Sequence, residues 1–263
     1  GAGPGEESFL RTGVTSSTLT IDALAIGAWQ IQVEAFNADE TLIGFGSETV
    51  DILAGHTTLA TITVSPLDGQ GVLELTVSWT PGLLTDPTVA GTLQPLGGAM
   101  FDLVFTPGTD SATYTNTNLD AGYYYLTLEL YEGSSKVWGT AEAVRILAGQ
   151  VTTGSFELTS SDIDPGSLSL TISPDMQDPF LVVFQDQESE LAPGADMTVT
   201  SELDPAQSDP VYRWYLDGAP VDGETGGSII IGGELAEGVY LLDLVVESDG
   251  VLSSSGFGFT VSE

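Results

Sequence analysis

The feature that most limits what this chain can fold into is an internal repeat. The run Leu24-Ala25-Ile26-Gly27-Ala28-Trp29-Gln30-Ile31-Gln32-Val33 matches Leu119-Asp120-Ala121-Gly122-Tyr123-Tyr124-Tyr125-Leu126-Thr127-Leu128, 95 positions downstream. Ile52-Leu53-Ala54-Gly55-His56-Thr57-Thr58 matches Ile146-Leu147-Ala148-Gly149-Gln150-Val151-Thr152 at 94 positions, and residues 71–78 match residues 166–173 at 95. Anchors that hold one offset over such a distance mark a duplicated structural unit. A further copy of the first anchor, Leu235-Ala236-Glu237-Gly238-Val239-Tyr240-Leu241-Leu242-Asp243-Leu244, lies 116 positions beyond the second. The other two anchors have no clean equivalent there, so the last unit is a relative with a different interior.

Steps of two residues separate the faces of the anchor. Trp29, Ile31, Val33 and Ala35 point one way, and Gln30, Gln32 and Glu34 the other. Tyr124, Leu126, Leu128 and Leu130 form the apolar row of the second copy, and Tyr240, Leu242, Leu244 and Val246 that of the third. Period-two alternation predicts half-buried antiparallel strands. Turn signals fall between the apolar runs: Asn37-Ala38-Asp39, Pro66-Leu67-Asp68-Gly69, Asp164-Pro165-Gly166 and Leu216-Asp217-Gly218. No stretch carries a sustained helical period.

Two connectors, Pro66 to Gly71 and Ser160 to Gly166, divide the chain into modules of residues 1–68, 69–163 and 164–263. Leu73 to Trp79 could close the first module or open the second, and is assigned to the second. The first module then lacks an opening strand, and the native chain is expected to continue upstream.

Asp120-Ala121-Gly122-Tyr123-Tyr124-Tyr125-Leu126 resembles the immunoglobulin-fold corner Asp-x-Gly-x-Tyr-x-Cys, with Leu126 in the cysteine place. Glu237-Gly238-Val239-Tyr240-Leu241-Leu242 is a second match, and Trp29 replaces the tyrosine in the first copy. The resemblance implies a hydroxyl tie from Tyr124 and Tyr240 to nearby backbone, and packing without that tie at Trp29. Val211-Tyr212-Arg213-Trp214-Tyr215-Leu216-Asp217-Gly218 is similar to the strand of bacterial Ig-like and PKD-like modules whose tryptophan fills the sandwich centre, with residues 196–200 as the facing strand. The whole chain resembles the tandem β-modules of bacterial, spirochaete-type surface lipoproteins. The fold expected is therefore all-β, three tandem immunoglobulin-like antiparallel β-sandwiches.

Charge narrows the partners. Asp and Glu total 38 against 4 Lys and Arg, a formal net charge of −34. Arg11, Lys136, Arg145 and Arg213 cannot form the basic stripe that neutralises phosphates, which excludes nucleic acid and disfavours anionic lipid. The acidity fits a surface soluble in salty water, or one that attracts calcium or basic partners. No apolar run is long enough to span a bilayer. The N-terminus has no signal-peptide pattern. Export to the periplasm, the cell surface or beyond it follows from the resemblance, as does a lipid anchor upstream; the partner expected is a protein or glycan at that surface.

Catalysis has little to work with. Cysteine is absent, which rules out a Cys-His arrangement, and His56, the sole histidine, occupies a turn where the repeat has Gln150, so a Ser-His-Asp arrangement is not expected. The chain is expected not to be an enzyme. Calcium could be held by Asp162 and Asp164, in one acidic connector that otherwise reads as simply solvated, with Asp178 following nearby, all hard oxygen donors. Tyr123, Tyr125 and Tyr131, with Glu129, form the outward face of one strand and could stack on a sugar; outward rings equally cover a module interface. Two functions follow: a structural or adhesive array on an exported bacterial protein, or a carbohydrate-binding accessory region using those outward rings.

Overall fold

The computed structural model describes residues 1–16, 18–36, 40, 42–163, 171–173, 180–185 and 187–262. It divides into two compact units, Gly1–Asp68 and Gly69–Glu263.

In the first unit, β1 (Gly27–Phe36) and β2 (Leu42–Ile52) form an antiparallel hairpin, and β3 (Ser65–Pro66) adds to the edge of β2. Residues 1–26 contribute isolated bridges, Ala2 to Gln30 and to Ser8. Among the described residues this three-stranded sheet has no second sheet facing it. Trp29 is buried all the same, under Gly3 and beside Phe9 at 5.5 Å between ring centroids. Ile31 is only half-buried, and Val33 is exposed.

The second unit contains two closed sandwiches. The first of them runs β4 (Gln70–Trp79), β5 (Pro87–Pro95), β6 (Phe101–Asp102), β7 (Thr106–Pro107), β8 (Ser111–Asp120), β9 (Gly122–Glu132), β10 (Ser135–Ile146) and β11 (Val151–Leu158), followed by the single-turn helix α1 (Ser160–Ile163) and β12 (Thr171–Ser173). One sheet has the order β10-β9-β5-β6 and the other β12-β11-β4-β8-β7. Chain order against sheet order is that of an immunoglobulin-like sandwich: β5, β9 and β10 take the C, F and G places, and β4, β7 and β8 the B, D and E places. One pairing departs from the antiparallel expectation. After β10 the chain crosses through Leu147 to Gln150, where Val72 N–H donates to the Gln150 carbonyl, and β11 leaves parallel to β4 from Val151 opposite Val72 to Leu158 opposite Trp79. Both strands start at the same end of the sheet, so they run the same way. The strand Thr171–Ser173 pairs with β11 and so belongs to this sheet.

The second closed sandwich comprises β13 (Leu181–Gln185), β14 (Glu190–Leu191), β15 (Asp196–Asp204), β16 (Val211–Leu216), β17 (Ala219–Pro220), β18 (Ser228–Gly232), β19 (Gly238–Ser248) and β20 (Val251–Val261). Sheet β13-β15-β18 faces sheet β14-β20-β19-β16-β17. These are the A-B-E and G-F-C layers of the same fold, with β14 parallel to β20. Trp214 fills the centre, against Phe184 at 5.8 Å, and its indole N–H donates to the Gly226 carbonyl at 2.8 Å.

Each repeat anchor makes the same local tie. Tyr124 Oη donates to the Asp120 carbonyl at 2.7 Å and Tyr240 Oη to the Ala236 carbonyl at 3.0 Å, each four residues back. At Trp29, where no such tie was expected, indole Nε1 donates to the Ala25 carbonyl at 2.9 Å, again four residues back. A ring at this position reaches over the corner from inside the strand. The donor can be phenol or indole because both place a polar hydrogen at the far end of an apolar body.

The apolar rows fill the two cores: Tyr124, Leu126, Leu128 and Leu130 with Leu73, Leu75, Trp138 and Phe156 in one, and Trp214, Leu242, Leu244 and Val246 with Val199, Ile229 and Phe259 in the other. Trp79, at the end of β4, is buried in the first of these.

Candidate functional site

The two closed sandwiches meet at a buried junction where β9 and β10 of one lie against β16, β17, β19 and β20 of the other. β10 is the last strand of its sheet, so alternate N–H groups point away from β9 with no strand to bond. The neighbouring sandwich supplies side chains instead. Ala141 N–H donates to Asp243 Oδ2 at 2.9 Å, and Ala143 N–H to Ser254 Oγ at 3.0 Å. An exposed edge that could have paired with another chain is thereby capped, and its buried donors are satisfied.

Glycines make this approach possible. Gly256 stands opposite Asp243 in the β19–β20 register, and a Cβ there would lie 2.1 Å from Asp243 Oδ1. A Cβ on Gly139 would lie 2.2 Å from the Asp217 carbonyl oxygen. Asp217 and Gly218 form the two-residue turn between β16 and β17, with φ of 50° and 73°, the geometry of a type I′ turn. That turn presses on β9 and β10, and it is fixed from behind by Leu241 N–H donating to Asp217 Oδ1 at 2.8 Å.

Rings and cations close the junction. Tyr125, Ala141, Tyr215, Val245 and Leu252 form its apolar centre. Tyr125 Oη donates to Glu247 Oε2 at 2.9 Å, and the Arg213 guanidinium lies 4.6 Å from the Tyr125 ring centroid. Burial, reinforced by the bond to Glu247, pushes the Tyr125 phenol far above its ordinary range, with Arg213 opposing in part. Lys136 Nζ donates to the Asp217 carbonyl at 2.8 Å and pairs with Glu129 at 3.5 Å. Arg145 lies over Tyr123 at 5.2 Å. Three of the chain's 4 Lys and Arg residues thus lie at or beside this contact, while Arg11 is exposed and bonds the Leu10 carbonyl. A stacked guanidinium contributes about 0.5–2 kcal/mol, most where it is desolvated.

Two carboxylates are enclosed with them. Asp243 is 2% exposed and Glu142 7%. Besides Ala141 N–H, Asp243 Oδ2 accepts from Thr140 Oγ1 at 3.2 Å, and Glu142 Oε2 accepts from Ser254 Oγ at 2.7 Å. Burial raises the Asp243 carboxyl well above the carboxylate range and Glu142 raises it further. The two hydrogen bonds oppose this, and Asp217 adds a smaller push upward. Asp217 is itself raised by burial, against the Leu241 N–H bond and Lys136.

The sugar-stacking set does not stay together. Tyr125 is covered by the neighbouring sandwich and 5% exposed, so no pyranose can reach its face. Tyr123 packs at the margin of the same cluster. Tyr131 is half-buried and donates to Glu129 Oε2 at 2.7 Å. Eight residues along a strand put Tyr131 about 26 Å from Tyr123, too far for one sugar ring.

Of the proposed calcium ligands, Asp164 and Asp178 lie outside the described residues. Asp162 serves the start of α1: its Oδ2 accepts the Thr159 N–H at 2.6 Å and the Thr159 hydroxyl at 2.7 Å. Asp162 Oδ1 is buried with no hydrogen-bond partner. Among the described residues no group of three His, Cys, Asp or Glu side chains is arranged to hold a metal ion. His56 is exposed in its turn, where its N–H donates to the Leu53 carbonyl at 3.3 Å.

The sequence reading allowed a module interface at the outward rings, but the rest of the junction escaped it because that uses other positions classed as outward. The available signals were the confinement of three cations to residues 136–213 and an aspartate set between Leu242 and Leu244, beside a Gly256-Phe257-Gly258 strand.

Comparison with protein-family models and with curated proteins returns no match. Among solved structures, the chain is similar to the N-terminal four Ig domains of Dscam1 isoform 7.44 (10% identity, 83% of this chain and 54% of that one, TM-score 0.26). It is also similar to three N-terminal domains of the bacteriophage RB49 outer capsid protein Hoc (12%, 91% and 59%, 0.26). A further likeness is to the fibronectin(III)-like modules of Clostridium thermocellum CbhA (10%, 71% and 88%, 0.26). The chain spans about half the length of the Dscam1 structure. Likenesses this remote transfer nothing about binding.

Proposed function

We propose that this chain is a non-catalytic structural or adhesive segment of an exported bacterial surface protein, of the kind seen in spirochaete-type surface lipoproteins, and that its junction holds two sandwiches at one fixed angle. The observation that carries this reading is the junction itself. A flexible tether between modules would leave the β10 edge in water; here backbone donors, a ring, cations and carboxylates are all committed across the contact. Export and surface exposure rest on the resemblance of the repeated corner and on the acidic composition, which suits a protein that remains soluble in salt.

The chain has no cysteine, so paired spin labels can be placed without background. Thr106→Cys and Thr198→Cys are exposed positions, one on each closed sandwich. A single narrow distance distribution between them at pH 6 is the expected result. A broad one, as for modules on a loose tether, would overturn the fixed-angle reading. Protease accessibility of the protein on intact cells tests the location, and a protein protected until lysis would sink export to the surface.

A further inference from the structure

The first unit holds part of a sandwich, and the repeat identifies the strands it lacks. At the offset of 95 the match runs beyond the anchors: Gly13, Ser16, Thr18, Thr20 and Leu24 are identical to Gly108, Ser111, Thr113, Thr115 and Leu119. Residues 16–25 are thus the counterpart of β8, and residues 58–64, which continue the Ile52 anchor, that of β11. β1 and β2 correspond to β9 and β10. β4 and β5 have no counterpart, and both are central strands: β4 lies between β11 and β8, and β5 between β9 and β6.

The local structure shows what their absence leaves behind. Residues 18–25 and 53–64 form no strand, although Thr58, Ala60, Ile62 and Val64 alternate as the buried Thr152, Gly154, Phe156 and Leu158 do. Segments like β8 and β11 have nothing to bond without a strand between them. Val64 is 38% exposed where Leu158 is 2%. Among the described residues, 10 large exposed hydrophobics lie in the short first unit and 7 in the long second one. Apolar surface concentrated in this way marks a place that something covers. The open edge of β1 completes the slot. Gln30 exchanges both backbone bonds with Ala2, so the N–H groups of Gln32 and Glu34 face the same side. In the sister strand that side is filled by β5, with Thr92 opposite Thr127 and Ala90 opposite Glu129, and Gln94 takes the place that Ala2 takes here.

We propose that the first unit is an acceptor for a two-strand segment of the β4–β5 pattern. One strand inserts between residues 18–25 and residues 58–64, the other adds to the open edge of β1, and together they close the β1–β2 sheet into a sandwich. The occupant is the polypeptide directly ahead of Gly1: the repeat offset sets Gly1 opposite Leu96, the residue after β5, and so places the counterparts of β4 and β5 there. The first inserted strand must have the chemistry of β4, an apolar inner row like Leu73, Leu75 and Val77 and a polar outer row like Glu74, Thr76 and Ser78. Backbone bonds on both of its sides supply the attraction, and the alternate side chains supply the register.

The test places a copy of residues 70–95 directly before Gly1 of the full chain and follows amide hydrogen exchange residue by residue. A control extension carries the same residues in shuffled order. In the unextended chain and in the control, the amides of residues 18–25 and 58–64 are expected to exchange almost as fast as in an unfolded chain. With the copy in its native order, these amides and those of Gln32 and Glu34 are expected to slow by at least about a hundredfold. Unchanged exchange in residues 69–262 reports that the second unit stays folded and keeps its own β4 and β5. Should the extended chain fail to fold, residues 70–95 added as a free peptide to the unextended chain are expected to slow the same amides. Protection of residues 18–25 and 58–64 without any extension overturns the acceptor reading, as does equal protection by the native and shuffled orders. Failure of both the fused copy and the free peptide to slow these amides overturns it as well. The junction between the two closed sandwiches plays no part in any of these outcomes.

Discussion

The hairpin β1–β2 and the hairpin β9–β10 descend from one sequence unit, yet they sit in very different surroundings. Both pair antiparallel over their length, and both hold a ring that ties back to the carbonyl four residues earlier. β9 has β10 on one side and β5 on the other, and a second sheet covers its inner face, so Leu126, Leu128 and Leu130 are buried. β1 has β2 on one side and a single bridge to Ala2 on the other, and the residue equivalent to Leu128, Val33, is 37% exposed. The difference teaches that the repeat encodes a hairpin with a ring-pinned corner. Whether its apolar face becomes a core depends on the strands that pack against it.

The largest expected effect is the split between cores. Leu128→Ala should cost about 2–5 kcal/mol by leaving a cavity in the closed sandwich, whereas Val33→Ala should cost below about 1 kcal/mol, because little area is lost from water there. Urea unfolding measures both, and equal losses would mean that the β1 face is covered in solution after all. Next in size is Gly139→Ala, which forces a methyl against the Asp217 carbonyl and should weaken the docked junction by about 1–3 kcal/mol. The paired spin labels would report this as broadening, with unfolding of each sandwich little changed; an unaltered distribution would show that the close approach of the turn is not required.

A smaller effect tests what the hairpins share. Tyr124→Phe removes the tie to Asp120 without changing the ring and should cost about 1 kcal/mol. Tyr240→Phe should cost less, because its hydroxyl bond lies in water. A cost at Tyr240 equal to that at Tyr124 would place the value of the tie in geometry rather than in burial. Smallest is Tyr131→Phe, whose bond to Glu129 is a surface contact, expected within about 0.5 kcal/mol.

Much of the fold was legible because period-two alternation and a fixed repeat offset are properties of the chain itself. The rows Tyr124 to Leu130 and Leu242 to Val246, and the packing of Trp29, could be read off in steps of two, while the place of Trp214 came from the resemblance of its strand. The junction could not. Alternation assigns residues 241, 243 and 245 to the solvent face, yet Leu241, Asp243 and Val245 are as buried as the core row beside them. Tyr125 was legible as an outward ring that could stack on a sugar or cover a module interface, and the neighbouring sandwich covers it. The parallel pairing of β11 with β4 was hidden for a related reason: direction is set by where the chain crosses between sheets, and no residue type records that.

The sequence by itself determined that this chain is built of repeated β-hairpins with a ring at each corner, that it carries a large excess of acid, and that it has no cysteine and a single histidine. These are local or additive properties, fixed by side-chain period and count. Only the tertiary structure decided which hairpins close into sandwiches, and that three cations and two carboxylates meet between them. Contacts between residues more than 100 positions apart, such as Ala141 with Asp243 or Tyr125 with Glu247, depend on how two finished surfaces fit. That fit is a matter of shape and of water exclusion, which exist only once both surfaces are folded.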